Sequence, residues 1–181
     1  MKIRDIAVSA FLTAILYLQQ VALSPLPNIH LCALLLILYT LYFPKLVFPV
    51  TAAFILLEGV TYGFGMWWIS YLYTWPLLIA IVLIFRKNQS KWFWASIGGG
   101  FGLVYGALCA IPYLFVGGMS TAVAYWVSGI PFDILHCLGN FAAIVLLWKP
   151  MERVFKKLGG SMKTGAVSYT HLRAHETSQD L

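Results

Sequence analysis

The sequence predicts an all-α integral membrane protein with six transmembrane helices. Of its 181 residues, 61% are hydrophobic and only 10% are charged, whereas soluble domains carry about 25% charged residues. The apolar residues fall in long runs, most of them near the roughly 20 residues that a spanning helix needs. Lysine and arginine avoid these runs and collect between them. Composition, run length and charge placement together predict one membrane domain over residues 1–158.

The six predicted helices follow one another with short connections. They cover about Ile6–Leu23, His30–Phe43, Leu46–Phe64, Trp67–Phe85, Trp92–Val116 and Ala122–Trp148. The first ends at the turn SPLPN, and the second is short for a span. Gly65 separates the third from the fourth. In the fifth, close helix packing explains the glycine run at 98–102 better than phosphate binding does. The sixth is longer than a bilayer requires, and Pro131 predicts a kink or break within it.

Basic residues predict that both termini are cytoplasmic. They lie before the first helix, between the second and third, between the fourth and fifth, and after the sixth. The other three loops contain no lysine or arginine. Because positive charges are enriched in cytoplasmic loops, these clusters share the cytoplasmic side. The net charge of +6 therefore reflects membrane topology rather than nucleic-acid binding.

Residues 159–181 are predicted to form a cytoplasmic tail with a foreign segment. Ser168 to Thr177 reads SYTHLRAHET, which matches the translation of a transposon-type sequencing adapter. Such segments are excluded from fold reasoning. His171 and His175 have the i, i+4 spacing of metal ligands and are discounted for that reason, so we predict no metal site and no cofactor.

Two acidic residues lie inside the predicted spans, Glu58 in the third and Asp133 in the sixth, and no buried base accompanies them. Ionisable groups are costly inside a membrane and usually mark a function. We expect both acids to line a cavity open to the outside. The alternative is that each is protonated, or forms a hydrogen bond to a neighbouring helix.

The last span places further polar residues on the face of Asp133. At helical spacing His136, Asn140 and Trp126 share that face. A nearby carboxylate favours the protonated form of an imidazole. The alternative for His136 is a hydrogen bond to a backbone carbonyl or to Asp133 itself. Asn140 is a candidate for ligand contact or for a hydrogen bond between helices.

Aromatic residues collect in the outer half of the predicted bundle. Glu58 and Tyr62 share one face of the third helix, and Trp67, Trp68 and Tyr71 begin the fourth. Acids beside aromatic faces suit a flat, heteroaromatic or cationic ligand, although an aromatic stripe also serves for packing. Gln19 and Gln20 end the first helix, where they either cap a pocket or face water. We expect convergence on one shared cavity by Trp67, Trp68, Trp126, Glu58 and Asp133.

Small residues form a strip along the first predicted helix. Ala7, Ala10 and Ala14 make up this strip and would let another helix approach closely.

The sequence lacks three common motifs of enzymes. It contains no Walker-type phosphate loop, no G-x-S-x-G turn and no H-E-x-x-H zinc pair, so we predict that the chain is not an enzyme.

Taken together, these features resemble the substrate-binding S component of energy-coupling factor (ECF) vitamin transporters. The resemblance covers about residues 1–158. It rests on six spans with both ends inside, on the alanine face of the first helix, and on the segment GIPFDILHCLGN at 129–140, followed by Lys149-Pro150.

The resemblance implies a subunit of the bacterial plasma membrane that binds a vitamin or related micronutrient from outside. Its pocket would lie beneath the loop joining spans one and two. The partners implied are a transmembrane coupling protein, which docks on the face of Ala7, Ala10 and Ala14, and two cytoplasmic ATPases. The implied pocket residues are Glu58, Tyr62, Trp67, Trp68, Tyr71, Trp126, Asp133, His136 and Asn140.

Two other functions compete with this one. A non-transport membrane scaffold, such as a cell-shape-determining subunit, predicts that Glu58 and Asp133 join helices with no cavity between them. An intramembrane enzyme or a stand-alone proton-coupled carrier would use Asp133 and His136 as a proton relay. For a binding protein, two acids without a buried base favour a cationic or hydrogen-bond-donating ligand over a multiply anionic one.

Overall fold

The computed structural model is all-helical. It describes residues 2–26 and 29–176, with side chains described as far as residue 160. These residues form five helices and no strand, so the predicted all-α class is confirmed. The helices are α1 (Ile3–Leu23), α2 (Cys32–Tyr42), α3 (Val47–Tyr62), α4 (Met66–Phe85) and α5 (Lys91–Glu176).

A single glycine divides the long helix α5. Gly118 has φ 72° and ψ −171°, a conformation outside the helical region that glycine adopts without steric cost. It separates an upstream arm, residues 91–117, from a downstream arm, residues 119–160. Glycines along the upstream arm approach the downstream arm in reverse order, from Gly98 near Ile144 to Gly106 near Asp133, so the arms run antiparallel. The helix continues through Pro131, and a break at that proline is therefore wrong.

Three helices are long and apolar enough to cross a membrane. They are α1, α4 and residues 91–160 of α5, whereas α2 and α3 are shorter apolar helices of 11 and 16 residues. The outward surface of the bundle is rich in large apolar side chains, of which Ile3, Phe115 and Leu146 are each more than 70% exposed. This surface suits a lipid environment. The count of six spans and the placement of the termini stay predictions.

The short helix α2 forms the centre of the bundle. Nine consecutive residues, 32–40, are buried on every side, which explains why the segment is apolar all round rather than amphipathic. It packs against α1, α3, α4 and α5. The Tyr39 hydroxyl donates a hydrogen bond of 3.2 Å to the Leu12 carbonyl of α1. A central α2 leaves α1 and α3 to pack together on one side of it.

Glycines bring the two arms of α5 into close contact. A Cβ on Gly102 would lie 2.8 Å from the carbonyl carbon of His136, and one on Gly99 would lie 3.4 Å from the carbonyl oxygen of Cys137. A Cβ on Gly106 would collide with the carboxylate of Asp133. Small residues allow such close approach between membrane helices. The interpretation of the glycine run as a packing surface is thus confirmed.

Candidate functional site

A cavity of about 310 Å³ lies where α1 and α3 end and α4 begins, and we call it the aromatic cavity. Leu26, Ile29 and His30, from the loop between α1 and α2, form one wall. The opposite walls come from α3, α4 and the upstream arm of α5. The residues on these walls are Glu58, Tyr62, Trp67, Tyr71 and Tyr105.

Glutamine side chains at the end of α1 connect the loop to the helix bundle. The backbone amide of Leu31 donates a 2.7 Å hydrogen bond to Oε1 of Gln19. Gln20 lines the cavity, and its Nε2 donates to the Tyr71 hydroxyl at 3.4 Å. The Gln19 contact ties the end of the loop to α1, and the Gln20 contact ties α1 to α4. Gln20 has the capping position that the sequence allows for it.

Glu58 is the acidic group of the aromatic cavity. The residue is only 2% exposed, and its Oε1 has no hydrogen-bond partner in the described part of the chain. No lysine or arginine is among the described residues that line the cavity. The carboxyl group therefore faces a space walled largely by aromatic rings, with no lysine or arginine on the described wall.

The aromatic walls are held by ring contacts along α4. Trp67 packs edge-on against Tyr71 with ring centroids 5.2 Å apart. Tyr71 in turn packs edge-on against the fully buried Trp75, at 5.4 Å, and is stacked with Phe54 at 6.2 Å. Because Trp75 and Phe54 belong to the core, their contacts hold the ring of Tyr71 in place at the cavity wall.

Two predicted tryptophans lie elsewhere. Trp68 donates from Nε1 to the Ile55 carbonyl at 2.8 Å and packs edge-on against Phe64, with centroids 5.0 Å apart. It therefore joins α4 to α3 and is not among the residues lining the cavity. Trp126 is 41% exposed and lines an almost wholly apolar groove between the two arms of α5, on either side of Gly118. The expected convergence of Trp68 and Trp126 on the cavity is wrong.

Asp133 belongs to a different cavity. It lines a space of about 400 Å³ between the two arms of α5, together with Cys109, Tyr125 and Ser128. Its Oδ1 accepts a 2.8 Å hydrogen bond from the backbone amide of Gly106, while Oδ2 has no partner among the described residues. Tyr105 is a wall residue of both cavities. The two acids thus line separate cavities, and the expectation of one shared cavity is wrong.

His136 and Asn140 are buried, and neither is among the described residues that line the two cavities. The His136 ring lies 4.8 Å from the rings of both His30 and Tyr105, measured between centroids. Its two ring nitrogens have no hydrogen-bond partner in the described chain, so no bond joins it to Asp133. Asn140 donates from Nδ2 to the Gly98 carbonyl at 3.1 Å. Asn140 therefore makes the contact between helices that was its alternative role.

His30 and Tyr105 are cavity residues that the sequence reasoning missed. In the sequence His30 follows a proline-rich turn at the start of the second predicted span, and Tyr105 lies in an apolar run without a nearby charge. Tyr105 lies between Gly102 and Gly106, two glycines at which the upstream arm packs closely against the downstream arm. This position near two glycines is the signal in the sequence that could have indicated Tyr105. Among the described residues, no group of three or more His, Cys, Asp or Glu could hold a metal ion.

The alanine strip lies on the outer surface of α1. Ala7, Ala10 and Ala14 are all exposed, whereas Leu12 and Leu16 on the other face are buried. The buried face packs against α3, where the hydroxyls of Tyr17 and Thr61 share a hydrogen bond of 2.8 Å. The strip therefore forms a surface of small side chains on which no described residue packs closely enough to bury it.

Comparisons of the chain with family models, with curated proteins and with solved structures found no match. A functional assignment consequently depends on the geometry of the cavities and on the residue pattern.

Proposed function

We propose that this chain is the substrate-binding membrane subunit of an ECF-type importer, which captures a vitamin or related micronutrient from outside the cell. One observation carries the proposal: a cavity with a buried carboxyl group and aromatic walls lies beneath the loop between α1 and α2. The resemblance implies a pocket in that place. Concave, mostly apolar cavities with a few polar groups are the usual ligand sites of proteins.

The proposal includes six spans, cytoplasmic termini and a bacterial plasma membrane. The two antiparallel arms of α5 supply two of the spans. Arg86 and Lys156, with Tyr42, line a further cavity beyond the end of α4, at the opposite end of that helix from Trp67. The bundle thus has basic side chains at one end and aromatic side chains at the other. Because lysine and arginine are enriched on the cytoplasmic side, this supports an orientation with the aromatic cavity facing outward.

Delivery of the substrate would require partners. The exposed strip of Ala7, Ala10 and Ala14 is the surface proposed to dock on the transmembrane coupling protein, with two cytoplasmic ATPases supplying the energy. A surface of small side chains allows close helix contact in lipid. The chain itself is proposed to have no enzymatic activity.

A membrane scaffold is the second candidate. It is favoured by the role of Asn140 and Asp133, which make polar contacts between the arms of α5. It leaves unexplained why Glu58 is buried at a cavity wall with no hydrogen-bond partner for its Oε1 among the described residues.

A thermal-shift screen of the purified protein against vitamins and their precursors tests the proposal. A ligand that binds only the folded state raises its melting temperature by mass action. We expect at least one compound to do so. A variant with valine at both Ala10 and Ala14 should bind that compound normally yet fail to support its uptake in cells with the coupling module. If no compound raises the melting temperature, or if the double variant transports normally, the proposal fails.

A further inference from the structure

We infer that the aromatic cavity selects a compact, planar aromatic monocation, with Glu58 as its counter-ion. This inference concerns the ligand class of the cavity and rests on the proposed function only for the statement that the cavity is a binding site. It follows from the charge, the walls and the size of the cavity.

Glu58 lies at a cavity wall with no lysine or arginine among its described residues. The one ion pair among the described residues joins Lys156 to Glu152 on α5, remote from this cavity. A carboxylate removed from water is costly unless a charge or hydrogen-bond donors compensate it. Oε1 of Glu58 has no hydrogen-bond partner among the described residues, and no lysine or arginine is among the described residues that line the cavity. A ligand with a positively charged N–H group would supply both at once through a charge-assisted hydrogen bond.

The walls of the cavity favour a flat cation over an aliphatic one. Tyr62, Trp67, Tyr71 and Tyr105 present aromatic rings beside Glu58. Aromatic faces attract cations and stack on planar groups, and both effects strengthen away from water. An anion would meet the Glu58 carboxylate and the negative faces of the rings, so anionic ligands are disfavoured.

The size and the isolation of the cavity limit the ligand further. A volume of about 310 Å³ is at the low end of the roughly 300–1,000 Å³ range of ligand pockets, which favours one compact ring system. Asp133 lines the other cavity and already accepts a hydrogen bond from Gly106. A single carboxyl group thus faces the ligand, and one positive charge matches it.

Three probes with one carbon skeleton test this inference. Benzamidinium is a planar cation with paired N–H donors, benzamide is its near-isosteric neutral counterpart, and benzoate is the anion. Their binding to the full-length protein in lipid nanodiscs is measured by calorimetry at constant pH and salt. We expect benzamidinium to bind about 10-fold tighter than benzamide or better, and benzoate to show no binding.

Matched variants assign the preference to one carboxyl group. Glu58→Gln keeps the shape and removes the charge, so benzamidinium should lose its advantage while benzamide binds as before. Asp133→Asn is the matched control outside the cavity and should retain the full preference. Equal binding of benzamidinium and benzamide to the unmodified protein would overturn the inference, and so would a preference that survives Glu58→Gln.

The result of the probe experiment can be distinguished from the result of the transport test of the proposed function. A cation preference that depends on Glu58, in a protein without uptake activity, would support the inference and contradict the importer. A vitamin that binds this cavity and is transported, in a protein indifferent to the charge of the probes, would support the importer and overturn the inference. The probe comparison in the unmodified protein requires no variant to fold.

Discussion

The two buried acids occupy regions of opposite character. Glu58 lies near the end of α3 and faces a cavity walled by aromatic rings, and its Oε1 has no hydrogen-bond partner among the described residues. Asp133 lies within the downstream arm of α5, where the amide of Gly106 donates to it across a close helix contact. Both are at most 4% exposed. The burial of a charged residue therefore does not by itself reveal a binding site, because the role of the residue depends on the groups that face it.

The largest effect should come from the packing surface near Asp133. Gly102→Ala would place a Cβ 2.8 Å from the His136 carbonyl carbon and force the arms of α5 apart. We expect a loss of about 1–3 kcal/mol in the free energy of unfolding, as for other overpacked sites. Thermal unfolding in detergent measures it. Gly100→Ala is the control, because the added Cβ would have no atom within 4 Å apart from its chain neighbours and the backbone of its own helix. Equal stability of the two variants would contradict the close contact.

A smaller effect should separate the two acids directly. Asp133→Ala removes the acceptor of the Gly106 amide and should lower the free energy of unfolding by about 1 kcal/mol. Asp133→Asn retains an acceptor oxygen and should lose less. Glu58→Gln removes no hydrogen bond in the described chain and should leave the stability of the ligand-free protein unchanged or raised. Denaturation curves of the three variants check this order, and a Glu58→Gln variant that loses more than Asp133→Ala would reverse the comparison.

Much of the fold was predictable from the residue pattern. Apolar runs located the helices, and the shortness of the second predicted span corresponds to the 11 residues of α2. The central burial of that helix was not predictable, because a uniformly apolar segment faces lipid or protein equally well. The glycines were correctly interpreted as a packing surface, since close approach needs small residues.

The candidate site was predictable only in part. Glu58, Tyr62, Trp67 and Tyr71 were expected together and line one cavity. Adjacent helical residues point about 100° apart, so the sequence could not tell which of Trp67 and Trp68 faced inward. Helical periodicity predicted which helix face carries Asp133. It did not predict that the amide of Gly106 lies opposite, because the periodicity of one helix contains no information about its neighbours.

Those two adjacent tryptophans provide the most direct test of the aromatic cavity as a binding site. The measurement is quenching of intrinsic fluorescence by a ligand found in the thermal-shift screen. Trp67→Phe should lose most of the quenching, because Trp67 lines the cavity, while Trp68→Phe should retain it, because Trp68 packs between α3 and α4. Quenching that disappears with Trp68 and persists without Trp67 would contradict the account.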